Sequence, residues 1–238
     1  IVIGPKGSQY RDPITGADVS QKNTWRADVI VDTTLSENAG KRNYRDVALF
    51  FQDEDNIIGT AFMPYVQNVA GLTSVNYRAE PYKFREEQGC SLGKIFQPCA
   101  VDKPEDPVTP LIEAHTGDAL RIHVIGANSE QNGMFSVEGH EWPIGPYMAG
   151  ADMISVVEYA GSEILDVFIR GGAGGPYRQV GDFVWSNARL PYTQSGQWGY
   201  LRVLPTGDAR IQPLSASGAG ARQAEVLPEP QAIPTAMK

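Results

Sequence analysis

Gly181-Asp182-Phe183-Val184-Trp185-Ser186-Asn187-Ala188-Arg189-Leu190-Pro191-Tyr192-Thr193-Gln194-Ser195-Gly196-Gln197-Trp198-Gly199 is the stretch on which the fold turns. Residues 183–185 are a short β-prone run, Pro191 and Gly196 punctuate the middle, and residues 199–204 are a second run. The segment therefore predicts two strands joined by a short connection. The same rhythm recurs outward from it. Residues 119–125, 134–137, 154–159 and 164–169 are short apolar runs separated by Gly, Pro, Asn and Asp, and upstream residues 27–31 and 44–52 are rich in β-branched or aromatic residues. Short strands at steady spacing predict an all-β fold, a Greek-key β-sandwich.

Composition agrees with this. The 238 residues are 42% hydrophobic and 20% charged, with 25 Gly and 17 Pro. That is enough apolar material for a core and excludes chain-wide disorder. A formal net charge of −8 argues against a nucleic-acid partner, which would need a basic face. No run reaches the ~20 apolar residues that span a bilayer, so no transmembrane segment is expected. The opening Ile1-Val2-Ile3-Gly4-Pro5 lacks a basic leader followed by an apolar segment, and a processing boundary is expected there. Residues 1–24 read as an extended linker and 25–204 as one domain with an insertion at 82–109. Residues 205–238 read as a Pro/Ala/Gly-rich tail that would not fold alone. Such arms are ordered either by wrapping a neighbour or by lying across their own domain.

Several residues invite chemical readings. Cys90 and Cys99 bracket a loop compatible with one local disulfide, which would place the chain in an exported compartment, periplasmic, cell-surface or extracellular. Their spacing matches no common zinc knuckle. His115, His123 and His140 are the three imidazoles and the candidate metal ligands, each weighed against a hydrogen-bonded structural role. His123 alternates with Arg121 and should share one strand face with it, opposite Ile122 and Val124. The cluster Gly171-Gly172-Ala173-Gly174-Gly175 lacks the Gly-Lys-Ser/Thr ending of a phosphate loop and reads as a flexible loop or a close backbone approach. Ser136 lies near Glu138 and His140 but without a nucleophile elbow.

Two runs carry a resemblance. In multicopper oxidases the 181–199 region holds a run of the form Y-x-H-C-H, a further histidine, and a G-M-W-G or G-M-x-G turn. Here Ser186, Asn187, Ala188, Tyr192 and Gln197 stand where His, Cys, His, His and Met would be. A second ligand run in that family reads like H-P-F-H-x-H-G-H, and its three ligand histidines fall on Gly133, Ser136 and Glu138. The surviving His140 falls on the histidine that the family does not use. Tyr77-Arg78-Ala79-Glu80-Pro81, residues 116–124 and Glu138-Gly139-His140-Glu141-Trp142-Pro143 are similar to the same family in the same order. Residues 1–8 resemble the last strand of a preceding domain.

The resemblance implies a cupredoxin-like domain of a multicopper-oxidase-like protein, a family of copper oxidoreductases, whose ligand positions here are degenerate. A blue copper needs a thiolate, which Asn187 cannot supply. No cofactor is therefore expected in this chain, and copper, if anywhere, is expected on a partner: a copper-bearing cupredoxin domain or other chains of an oligomer. The implied role is assembly and positioning of that partner. Two alternatives stay open: part of an active oxidase that supplies interface ligands or the substrate cleft, or an exported structural scaffold derived from one.

Overall fold

Strands form where apolar residues alternate with polar ones, because successive side chains leave opposite faces of a sheet and one face can be buried. The computed structural model describes residues 4–53, 73–97, 106–127 and 132–214. Along the chain the strands are β1 (Gln9–Arg11), β2 (Arg26–Ile30), β3 (Tyr44–Asp53), β4 (Thr73–Val75), β5 (Ile112–His115), β6 (Leu120–Ala127), β7 (Gly133–Val137), β8 (Trp142–Pro143), β9 (Met153–Ile154), β10 (Val156–Tyr159), β11 (Ile164–Phe168), β12 (Gly181–Asn187) and β13 (Trp198–Leu204). Two short helices, α1 (Tyr82–Glu87) and α2 (Leu190–Gln194), interrupt them.

Among the described residues, one sheet runs β1-β2-β3-β6-β11 with β4 against β3, and the other runs β10-β7-β12-β13-β5. The chain crosses between sheets at β4 to β5, β5 to β6, β6 to β7, β10 to β11 and β11 to β12, and two neighbour pairs, β3 with β6 and β5 with β13, are parallel. This is the all-β sandwich that the strand spacing predicts.

The core lies between the inner faces: Val47, Leu49 and Phe51 of β3 and Ile122 and Val124 of β6 meet Phe135, Val137, Trp185, Leu201 and Val203 of the other sheet. Phe51 packs edge-on to Trp185 at 6.2 Å and to Phe135 at 5.9 Å, the geometry that aligns ring edges with π faces. A second apolar cluster sits on the outer face of the second sheet, where Ile95 and Cys90 of the insertion cover Val184, Trp198 and Tyr200. The described part of the insertion is thus a lid of packed structure and not a loose loop.

Where they are described, both arms lie against their own domain, one of the two arrangements open from the sequence. Residues 9–11 form the edge strand β1, paired antiparallel to β2 of the domain's own sheet. Residues 205–214 lie across the same domain: Ile211 is buried, and the Gln212 N–H donates to the Pro13 carbonyl at 2.7 Å. Chain composition could not decide this, because one buried isoleucine and a few carbonyl partners anchor a polar strap. Residues 1–3 and 215–238 lie outside the described residues.

Candidate functional site

The eight positions at which the sequence resemblance expects ligands separate into two groups, because neighbours in a strand leave opposite faces. Gly133, Asn187, Tyr192 and Gln197 converge inside one end of the sandwich. Ser136, Glu138, Ser186 and Ala188 do not join them. Ser136 and Ser186 are cross-strand partners with hydroxyls 3.4 Å apart, while Glu138 and Ala188 are exposed.

Asn187 ends β12 and is 1% exposed. Its Nδ2 donates to Gln197 Oε1 at 2.8 Å and to the Tyr159 hydroxyl at 3.2 Å. Its Oδ1 accepts from the backbone N–H of Met134 at 3.1 Å and of Arg189 at 3.2 Å. Gln197, fully buried, sends Nε2 to the carbonyls of Gln52 at 2.8 Å and Ser74 at 3.3 Å. The connection between the two strands is helical because Pro191 presets its first turn. Helix α2 turns Tyr192 and Thr193 inward; the Thr193 hydroxyl donates to the Asn187 carbonyl, and the Tyr192 hydroxyl lies 3.5 Å from Asp53 Oδ2. Buried amides in low dielectric are stable only when each donor and acceptor is matched, and here they match one another.

Gly133 completes the group by its lack of a side chain. A Cβ there would lie 2.1 Å from Tyr159 Cζ and 2.2 Å from its hydroxyl, so the Tyr159 ring fills the space a residue 133 side chain would need. Tyr159 is the cross-strand partner of Gly133 and is fully buried.

Copper is tested against this donor set and does not fit. A blue site draws on thiolate and imidazole; the four positions offer two amides, a phenol and a glycine, with the amides bonded directly to each other. Among the described residues, no group of three or more His, Cys, Asp or Glu is poised to hold a metal.

Each histidine is engaged within the domain. His140 Nδ1 donates to the Glu138 carbonyl at 2.7 Å and Nε2 accepts the Gly174 N–H at 3.0 Å; burial holds its pKa below the ordinary value. That occupancy also removes it as a base for Ser136. His115 Nε2 donates to the Asp208 carbonyl at 2.9 Å. His123 lies between two carboxylates, with Nδ1 donating to Asp166 Oδ1 at 2.5 Å and Nε2 2.9 Å from Asp46 Oδ1 but off the line that a hydrogen bond needs.

Arg121 shares the His123 face, as the alternation predicts, and grips Asp46 through Nε at 2.9 Å and Nη2 at 2.6 Å. Despite burial, Arg121 and His123 hold the Asp46 carboxyl below its usual range. The sequence offered no sign of the partners Asp46 and Asp166, which come from other strands, nor of Tyr147, whose hydroxyl donates to Asp166 Oδ2 at 2.7 Å.

The glycine cluster is a close backbone approach. A Cβ on Gly172 would meet the Asp118 carbonyl at 2.5 Å, and one on Gly174 the Gln179 carbonyl at 2.4 Å. Its amides are spent internally: Gly172 on Ile169, Ala173 on Asp118, Gly174 on His140 and Gly175 on Gly172. These four amides are not free to cradle a phosphate. Cys90 is buried and is not a free thiol; Cys99 lies outside the described residues, so their pairing with each other remains a proposal. No described helix is long and apolar enough to cross a membrane.

Fold and site together define an all-β sandwich with a closed polar knot at the end of its central strands. No family model matches the chain, and no curated protein matches it. Among solved structures it is similar to a blue copper oxidase from Nitrosomonas europaea (15% identity, TM-score 0.45, 71% of this chain and 46% of that one). It is similar also to the McoA multicopper oxidase from Aquifex aeolicus (12%, 0.43, 74% and 32%). A third is a copper-containing nitrite reductase from Thermus scotoductus (14%, 0.41, 77% and 36%). The chain spans less than half the length of each of these three.

Proposed function

We propose that this chain is a copper-free cupredoxin-like domain of a multicopper-oxidase-like system, acting in an exported assembly to position a copper-bearing partner domain or subunit. One observation carries the reading. The positions at which the sequence resemblance puts one set of ligands, Gly133, Asn187, Tyr192 and Gln197, do converge in space, yet they form a sealed hydrogen-bond knot plugged by Tyr159. A fold that keeps the geometry of a site while replacing its donors retains a shape and gives up a chemistry. The alternative, in which the chain lends interface ligands to an active oxidase, is disfavoured by His115, His123 and His140, all held by partners within the domain.

The test is copper loading of the purified chain followed by dialysis, metal analysis and sedimentation. Expected are substoichiometric copper and no intense blue thiolate band. Capture of the full chain from its native envelope should bring down a copper protein. One tightly held copper per chain would overturn the reading. A copper-free monomer without such a partner would replace it with the structural-scaffold alternative.

A further inference from the structure

At the start of β3, the opposite end from the knot, Arg45 is 1% exposed and shared among three elements. Its Nε donates to Asp118 Oδ2 at 2.8 Å, Nη1 to both oxygens of Asp28 at 3.0 and 3.2 Å, and Nη2 to the Gln212 carbonyl at 2.6 Å. His115 holds the Asp208 carbonyl through Nε2, with Nδ1 3.7 Å from Asp118 Oδ2. Gln212 in turn reaches the Ile14 carbonyl through its side chain at 3.1 Å. Residues 208–212 are thus tied to β3, β5 and the N-terminal turn.

The charges here do not balance. One guanidinium faces two carboxylates, of which Asp118 keeps some contact with water and Asp28 keeps little, their side chains being 14% and 4% exposed. A buried anion in excess of its cation is costly, and a proton on the drier carboxyl removes the excess.

We propose that residues 205–214 form a proton-linked strap, clasped onto Arg45 and His115 while the buried Asp28–Arg45–Asp118 cluster holds a proton and loosened as that proton leaves. Burial pushes the Asp28 carboxyl up to about 7 against the pull of Arg45, with Asp118 and Asp12 raising it further and Arg26 opposing. On the strap itself, Asp208 is paired with Arg210. The sign follows from linkage: the closed state binds the proton more tightly than an open, hydrated one. Closure is therefore favoured in acid and weakens as pH rises through about 7.

Hydrogen exchange of the 205–214 amides in the full chain, corrected for intrinsic rates and referenced to β13, tests this at pH 6 and pH 8. Opening is expected to be up to about tenfold more frequent at pH 8. Asp28→Asn should abolish that ratio, while His115→Gln should lower protection at both pH values and keep it. Equal protection of the wild-type strap at the two pH values overturns the proposal. So does an Asp28→Asn chain that retains the ratio, or a His115→Gln chain that loses it. None of these outcomes bears on copper content or on partner capture.

Discussion

Asn187 and Gln197 show how much one pair of residue types decides. Each amide satisfies a main-chain group far away in sequence as well as its neighbour, so truncation of either leaves several buried groups without partners. Asn187→Ala is expected to cost about 3 kcal/mol in urea unfolding, since each stranded buried group costs ~1–3 kcal/mol. Rebuilding ligands by Asn187→Cys, Tyr192→His and Gln197→Met together should still give no blue absorption, because Tyr159 fills the space beside Gly133. A blue band from that triple variant would refute the plug. His140 gives a pH signature. Its pKa is held down by burial, so its contribution to stability is full above the ordinary value near 6.5 and is lost as pH falls through the lower folded one. His140→Gln should flatten the acid limb of a melting-temperature profile between pH 7 and 5.

At the scale of elements, the insertion and the glycine loop do the covering. Helix α1 lays Tyr82 and Arg85 on Trp198, whose indole N–H donates to the Glu80 carbonyl at 2.6 Å, and Phe96 closes on the same ring at 4.9 Å. A bond between Cys90 and Cys99 would close a loop of about ten residues and on the chain-entropy account add about 2–3 kcal/mol. Peptide mapping without reductant should find the two cysteines linked. Two alkylatable thiols would refute the pairing and, with it, the basis for export. In the loop after β11, Gly172 has φ +78° and no space for a methyl group, so Gly172→Ala should cost about 3 kcal/mol or misfold.

For the whole molecule, the described arms belong to the domain, and this redraws where it can be cut. A chain ending at residue 214 is the reference for testing the strap. Removal of 205–238 takes away Ile211 and the Gln212 carbonyl from Arg45, and should cost about 3 kcal/mol or more, since a buried cation loses an acceptor. Equal melting temperatures for the two truncations would show that the strap contributes nothing.

The sequence determined the sandwich. Runs such as residues 44–52 and 119–125 place β-branched and aromatic side chains at alternate positions, and that local pattern is enough to choose strands and their buried face. It also excludes a thiolate at Asn187, whatever the fold. Only the tertiary structure decided what surrounds these positions. The match between Asn187 and Gln197, the Tyr159 ring beside Gly133, the carboxylates around His123 and the strap on Arg45 all join residues from separate strands. Hydrogen bonding and burial between such residues depend on register and crossing, which leave no periodic trace along the chain.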